Sequence, residues 1–138
     1  MSHKLLAVLI VLAVAIVIAA LIVVSRLQQA RRQRQNIVFR ERWQRVQGQC
    51  RDPKQWRQAL IDADGLLHDA LKAAGCRGRT MGERMVSAQR RLTDNDGVWF
   101  GHKLRNRQDM PEVEPLTKSM VQQALRGLQQ ALKDLGAL

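Results

Sequence analysis

The sequence has few of the residues that usually reveal a function. It contains two cysteines, three prolines and no tyrosine in 138 residues. Cys50 and Cys76 lack the spacing of metal ligands, so we expect free thiols in a reducing compartment. No glycine-rich phosphate loop follows a strand pattern, and neither a histidine–cysteine cluster nor a nucleophile elbow is present. We therefore expect no cofactor and no metal.

Charged and polar residues are absent from one long stretch near the N-terminus. Leu5 to Val24 are twenty consecutive residues drawn only from Leu, Ala, Val and Ile. At about 1.5 Å per residue, a helix of this length spans about 30 Å, the thickness of the hydrocarbon core of a bilayer. Lipid offers no partners for backbone polar groups, so such a segment is stable there only as a helix. Residues 1–24 are therefore predicted to be a transmembrane anchor.

Two other interpretations compete with the anchor. A secretory signal has an apolar region of about 7–15 residues, which is shorter than this run, although Ala13-Val14-Ala15 imitates a cleavage site in its middle. A buried core helix is less favoured, because no polar face interrupts the run and the remaining chain is too small to surround it on every side. The anchor is the interpretation that fits both the length and the composition.

Basic residues after the apolar run predict its orientation. Four arginines lie within ten residues of Val24: Arg26, Arg31, Arg32 and Arg34. Basic residues beside a span favour the cytoplasmic side. We therefore expect a single-pass protein of the plasma (inner) membrane, with a short N-terminus outside and residues 25–138 in the cytoplasm.

The excess positive charge is predicted to lie beside the membrane. The formal net charge is +11; ten basic and two acidic residues lie within 26–57, whereas 58–138 carries twelve basic and ten acidic ones. Each Lys or Arg close to an anionic membrane surface is attracted to it by about 1 kcal/mol. Residues 25–51 are therefore predicted to form a basic juxtamembrane helix whose arginines contact anionic lipid headgroups. Nucleic acid would attract the same segment and is the second, less favoured partner.

The remainder of the chain shows only helical patterns. An apolar stripe at i, i+4, i+7 and i+11 would dock the juxtamembrane helix onto the domain behind it: Phe39, Trp43, Val46 and Cys50. Capping residues and turn clusters bound four further predicted helices, over residues 52–74, 80–92, 98–108 and 117–135. The expected fold class is all-α: an N-terminal transmembrane helix followed by a compact antiparallel bundle of four to five helices, with the bundle domain in 52–138.

Four polar side chains fall on faces that we expect to be buried or to line a cleft. Asp64 lies within the apolar stripe of its predicted helix, which consists of Trp56, Leu60, Ala63, Leu67, Leu71 and Ala74. A lone carboxylate there is costly unless it is paired. His102, Arg105 and Asn106 stand at i, i+3 and i+4 and are expected to share a face with Trp99. We predict a buried polar network in which Asp64 contacts Arg105, or else His102. The alternative is the floor of a small site that binds phosphate or ribose, or cuts RNA.

A resemblance to known helical proteins rests on three short motifs: Ala63-Asp64-Gly65-Leu66-Leu67, Met81-Gly82-Glu83-Arg84-Met85, and Trp99 followed by His102-Lys103-Leu104-Arg105-Asn106-Arg107. Together they resemble a set of uncharacterised, N-terminally membrane-anchored small helical proteins of reduced-genome (candidate phyla) bacteria. The Arg105-Asn106 pair late in a helical bundle is also similar to the HEPN domains, helical modules of which many are metal-independent ribonucleases. The resemblance covers about residues 52–135 and implies a HEPN-like fold.

The catalytic motif of the HEPN family is incomplete in this sequence. In that family the Arg begins a motif that closes with a histidine four to six residues further on, so Arg105 and Asn106 match its first two positions. Position 110 is Met, and no histidine follows His102. Neither Arg nor Asn can transfer a proton at neutral pH. No catalytic residue is assigned, and His102, Arg105 and Asn106 are the candidates.

The function expected from these features is a single-pass membrane protein whose cytoplasmic domain is a non-catalytic binding or scaffold module. Its partners would be the membrane and either another protein or a second copy of the chain. The alternative is a membrane-tethered HEPN-type ribonuclease or RNA-binding protein that uses His102, Arg105 and Asn106 as a dimer with a shared site. A third possibility is a subunit of a membrane complex recognised through the anchor.

Overall fold

Five α-helices and one 3₁₀ turn make up most of the chain. The computed structural model describes residues 2–138, and its helices are α1 (His3–Gln49), α2 (Trp56–Ala73), α3 (Met81–Ala88), α4 (Asn95–Arg107) and α5 (Lys118–Asp134). The 3₁₀ turn at Pro53–Gln55 precedes α2, and no strand occurs in residues 2–138. The expected all-α class is confirmed. The predicted anchor and juxtamembrane helix are parts of one helix, α1.

The first of two compact units ends at Gln35, and the second is Asn36–Leu138. Every residue from Ser2 to Gln35 is exposed. The large aliphatic side chains of this first unit are between 46% (Leu6) and 69% (Ile16) exposed. Helix α1 has the length and composition to cross a membrane, and 0% of its most apolar stretch is buried inside the protein. So much exposed apolar surface is unfavourable in water.

Helix α2 is the centre of the second unit, because it packs against α3, α4 and α5. The sequence pattern predicted a narrow apolar stripe that included Trp56 and Ala74, but both of these residues are only half-buried. The buried surface of α2 is broader and consists of Ala59, Leu60, Ala63, Asp64, Leu66, Leu67, Ala70 and Leu71. The stripe was too narrow because a helix with several neighbours buries more than one face.

The last part of α1 belongs to the second unit and completes its core. The predicted apolar stripe is confirmed, since three of its members are buried in that core: Phe39, Trp43 and Val46. Cys50 is half-buried, and its backbone carbonyl accepts a hydrogen bond from Nε1 of Trp56 at 2.9 Å. This bond ties the end of α1 to the start of α2.

Two polar contacts show the direction of α1 relative to α2 within the second unit. Arg42 Nη1 lies 2.6 Å from Asp69 Oδ2, and Gln49 Nε2 donates to Asp62 Oδ2 at 2.7 Å. Seven residues forward along α1 correspond to seven residues backward along α2, so these segments are antiparallel. Asn36, the first residue of the unit, is therefore level with the C-terminal end of α2.

Local sequence signals set the helix ends. Gly75 follows α2 in the left-handed conformation, at φ +76°, as expected just past a helix. Thr80 caps α3, its hydroxyl accepting a hydrogen bond from the backbone N–H of Glu83 at 3.2 Å. Helix α4 begins three residues earlier than predicted, because the side chain of Asp94 accepts the N–H of Gly97 at 2.9 Å and caps it there.

Helices α4 and α5 approach each other closely enough to require glycine. A Cβ added at Gly127 of α5 would overlap the backbone of Gly97 in α4. This contact between backbones holds α4 against α5 on one side. On another side of α4, His102 reaches α2. The position of α4 is thus set by contacts that no short sequence motif describes.

Candidate functional site

The most buried polar contact between two helices of the domain joins His102 to Asp64. His102 Nδ1 lies 2.9 Å from Asp64 Oδ1, and the two side chains are 13% and 10% exposed. Asp64 comes from the buried face of α2, and His102 comes from α4. A carboxylate oxygen accepts hydrogen bonds, so the proton of a neutral imidazole lies on Nδ1 and leaves Nε2 as an acceptor. Asp64 therefore has a partner, the second of the two that the sequence suggested.

Asn106 extends this pair to the surface. Its Nδ2 lies 3.3 Å from His102 Nε2, one helical turn further along α4, and the amide N–H can donate to the acceptor nitrogen. Asn106 is exposed, so of the two positions expected for it, buried or lining a cleft, the buried one is not found. The three side chains form a line from the core to solvent.

Arg105 joins this line only at its outer end, and the predicted contact between Arg105 and Asp64 is not formed. Arg105 Nη1 donates to Asp109 Oδ2 at 2.6 Å and reaches Asn106 Oδ1 at 3.4 Å. The reason is helical geometry: at 100° per residue Arg105 lies about 120° around the helix from Trp99. The prediction that Arg105 shares a face with Trp99 is therefore wrong.

The carboxylate of Asp109 is shared by two arginines. Arg57 Nη2 lies 3.4 Å from Asp109 Oδ1, while Arg105 holds the other oxygen. Arg57 and Asp109 are exposed and Arg105 is half-buried, and ion pairs at the surface contribute little to stability. Arg105 is thus part of a surface charge cluster.

Trp99 borders the site on the side of α3. Its ring is 6.1 Å from that of His102, edge to face at 71°, and Lys103 Nζ lies 5.9 Å from the centre of the indole. The far edge of the indole lies against Gly82. Lys103 occupies one face of Trp99 through a cation–π contact.

This arrangement can hold a proton at a defined atom. A carboxylate that orients an imidazole through Nδ1 leaves Nε2 as a base or acid. Within residues 2–138, no Ser, Thr or Cys side chain hydrogen-bonds to His102, whose Nε2 is engaged by Asn106. That part of the chain also holds no cluster of three or more potential metal-ligating residues.

Sequence reasoning missed a second histidine, His68, on the same helix as Asp64. Its Nε2 is buried without a hydrogen-bond partner. Burial lowers the pKa of His68, and the charges of Lys72 and Arg84 lower it further, against smaller opposing effects of Asp69 and Asp64. The imidazole is therefore neutral at pH 7. The i, i+4 spacing of Asp64 and His68 was the signal that could have identified this position.

Two grooves on the surface of the second unit lie away from His102. One has a volume of about 310 Å³ and lies between the end of α1 and α5, with Trp43, Leu125 and Arg126 among its lining residues. The other, of about 300 Å³, lies beside the connection from α4 to α5 and contains the buried Gln108. Both grooves are large enough for a side chain of a partner.

The arginines assigned to lipid contact lie on the first unit and are exposed: Arg26, Arg31, Arg32 and Arg34. None of them forms an ion pair with a carboxylate among residues 2–138. Cys50 and Cys76 are free thiols. Burial raises the pKa of Cys50, which favours the neutral thiol.

No family model, curated protein or solved structure matches this chain. The resemblance to the HEPN domains and to small anchored proteins therefore stays a prediction from the motifs quoted above. Function has to be inferred from the geometry of the chain itself.

Proposed function

We propose that α1 anchors this protein to a membrane and that the helical domain is a non-catalytic binding or scaffold module in the cytoplasm. One observation carries the anchor: a run of twenty aliphatic residues, Leu5 to Val24, lies in a helix none of whose residues up to Gln35 is buried. Lipid is the surrounding in which such a surface is stable. The fold of the domain is proposed to be HEPN-like.

The basic segment after the run supports a cytoplasmic location for the domain. Its four arginines are exposed and free of carboxylates, so their charge is available to anionic headgroups. Basic residues beside a span are retained on the cytoplasmic side. Free thiols at Cys50 and Cys76 agree with a reducing compartment.

The contacts of the candidate residues support a binding role over catalysis. Arg105 is engaged by Asp109, and His102 Nε2 is engaged by Asn106. Met110 occupies the position where the HEPN motif would place its histidine. Each group that could act on a substrate is thus already bonded within the domain. The two grooves described above offer the space for a protein partner.

A second candidate function is RNA binding or cleavage. The observation that favours it is the Asp64–His102 pair, which orients an imidazole towards the surface. RNA carries its own nucleophile, the ribose 2′-hydroxyl. A site with an oriented base and no Ser or Cys nucleophile therefore suits RNA better than it suits a peptide or an ester.

Membrane extraction tests the anchor. The full chain is expected to remain in the membrane pellet after alkaline carbonate treatment. Leu12→Arg combined with Ile16→Arg should release it, because each arginine at the centre of a span costs about 2.5–3.5 kcal/mol. The matched variant Leu12→Ala with Ile16→Ala should stay in the pellet. A full chain that is soluble in cells with its first residues intact would refute the proposal.

An RNA cleavage assay on the full chain in detergent micelles tests the absence of catalysis. We expect no turnover of a labelled single-stranded RNA above the background of the double variant His102→Gln with Arg105→Ala. Lys118→Gln, which is distant along the chain from both residues, is the control. Turnover that is lost in His102→Gln or Arg105→Ala but kept in Lys118→Gln would establish the ribonuclease.

A further inference from the structure

A second cationic surface lies at the C-terminal end of α2, apart from the arginines beside the apolar run. Residues 72–91 contain one acidic residue, Glu83, and six basic ones: Lys72, Arg77, Arg79, Arg84, Arg90 and Arg91. We refer to these six as the cationic end of the domain. The small net charge of residues 58–138 does not reveal this cluster, because nine of the ten acidic residues of that segment lie outside residues 72–91.

Two hydrogen bonds place members of the cationic end at the C-terminal end of α2. Arg84 Nη1 donates to the carbonyl of Cys76 at 2.6 Å, and Arg91 Nη1 donates to that of Ala74 at 3.1 Å. Both guanidinium groups therefore meet at the loop that follows α2. Lys72 lies in the last turn of that helix, and Arg77 and Arg79 lie in the loop itself.

The charges of the cationic end are not neutralised within the domain. Among residues 2–138, no carboxylate oxygen lies within 4.0 Å of any of the six basic groups. The carboxylate of Glu83 instead accepts the backbone N–H of Arg79 at 2.6 Å. All six residues except Arg84, which is half-buried, are exposed. Elsewhere in the domain, Asp69 and Asp109 are paired with arginines.

The cationic end is also the end at which the chain arrives from the apolar run. The antiparallel contacts of α1 with α2 place Asn36 level with the C-terminal end of α2. Asn36 follows Val24 by twelve residues, a connection of about 40 Å even when fully extended. The covalent chain therefore keeps Asn36 itself within that distance of Val24.

We propose that the cationic end binds anionic lipid headgroups and forms a second contact between the domain and the membrane. The proposal rests on the membrane anchor proposed above. Each basic group near an anionic surface strengthens the association about fivefold. The exposed groups here number five, so the contact would hold the domain in one orientation on the bilayer.

The composition of the surface favours lipid over nucleic acid. Proteins that bind single-stranded nucleic acid combine basic residues with aromatic side chains on which bases stack. Residues 72–91 contain no aromatic residue, and Lys103 occupies one face of the neighbouring Trp99. A surface of charges without a stacking platform matches a layer of headgroups.

Hydrogen exchange of the full chain in lipid nanodiscs tests the proposal. Exchange of the backbone amides in residues 75–80 and 89–91 is compared between phosphatidylcholine discs and discs containing 30% phosphatidylserine. We expect exchange to be at least fivefold slower in the anionic discs, with the difference lost in 0.5 M NaCl. Incorporation into phosphatidylcholine discs reports the anchor separately, so failure of the anchor and failure of the cationic end give different results.

Charge-reversal variants make the test specific. Arg77→Glu/Arg79→Glu/Arg90→Glu should abolish the slowing, whereas the control Lys54→Glu/Lys118→Glu/Lys133→Glu, with the same change of net charge at exposed positions outside the cationic end, should retain it. If the first variant does not fold, Arg77→Gln/Arg79→Gln should reduce the slowing. Equal exchange in the two kinds of disc overturns the proposal. The proposal is also overturned if a 20-nucleotide RNA slows exchange in phosphatidylcholine discs while phosphatidylserine has no effect.

Discussion

The apolar run of α1 and the core around α2 are built from similar aliphatic residues, yet those of the run are exposed and those of the core are buried. Leu12 is 54% exposed, whereas Leu67 is 0% exposed. The run is apolar on every side, while α2 carries polar residues such as Gln58 and Asp62 beside its leucines. A helix with a polar side can pack onto a protein core and face water, but a helix without one requires lipid or complete burial. The presence of a polar side on α2 and its absence from the run separate the two regions.

The same contrast occurs over a few residues within α1. Phe39, Trp43 and Val46 are buried in the domain core, whereas their neighbours Ile37 and Val38 are exposed. The helix therefore changes from uniformly apolar to one-sided along its length. Ile37 and Val38 are large apolar residues outside the core, and they mark the side of α1 that no other helix of the domain covers.

The largest effect is expected from truncating the same residue type in both regions. Leu67→Ala should lower the free energy of unfolding of the domain by about 2–5 kcal/mol, because it leaves a cavity beside fully buried neighbours. Leu12→Ala should change it by less than about 0.5 kcal/mol. Urea unfolding of the full chain in detergent micelles, followed by tryptophan fluorescence, measures both. Equal losses would mean that the apolar run is part of the folded core.

The next largest effect is expected from removing the buried carboxylate of Asp64, compared with the exposed carboxylate of Asp109. Asp64→Ala should cost about 1–3 kcal/mol, because it leaves the Nδ1–H of His102 without an acceptor in a buried position. Asp109→Ala should cost about 0–1 kcal/mol, although it removes contacts with two arginines, since those groups are solvated. Urea unfolding of both variants decides the matter. A cost for Asp109→Ala as large as that for Asp64→Ala would contradict the view of Arg105 as a surface residue.

A smaller effect, on the pH dependence of stability, is expected from His68, which is half-buried. Burial lowers the pKa of His68 below its usual 6.5, with further lowering by Lys72 and Arg84. Between the lowered pKa and 6.5, the unfolded chain binds more protons than the folded chain. The free energy of unfolding should therefore fall as the pH falls through 6.5. His68→Gln should flatten this part of the profile, and His3→Gln should not. Thermal unfolding between pH 5 and 8 provides the measurement.

The smallest effect is expected at the carboxylate of Asp134, near the end of α5. Burial acts to raise the pKa of Asp134, but hydrogen bonds from the Thr93 backbone, Gln130 and the Thr93 hydroxyl outweigh it and lower the pKa below 3.8. The resulting stabilisation is present above pH 3.8 and is lost as the pH falls through the folded-state value. Asp134→Asn should therefore weaken the acid-dependent loss of stability, as measured by unfolding between pH 2 and 6. An unchanged acid profile would show that these bonds do not persist in solution.

Much of the fold was predictable because its signals are local. The cap at Thr80 and the end of α2 at Gly75 involve atoms within a few residues of one another, and so does the buried stripe of Phe39, Trp43 and Val46. The candidate site was only partly predictable. The spacing of His102 and Asn106 indicated that they would meet, whereas Arg105 was assigned to a face about 120° away from its actual direction.

The amino-acid sequence by itself determined that this chain is helical, where most of its helices begin and end, and which segment is too apolar for water. These properties depend on side chains three or four residues apart, which are neighbours in any helix. Only the tertiary structure decided that Asp64 meets His102 across 38 residues and that the Arg84 and Arg91 side chains reach the end of α2. The partner of a side chain distant in sequence depends on how the helices pack, and that packing is decided by the whole core, including the backbone contact at Gly127.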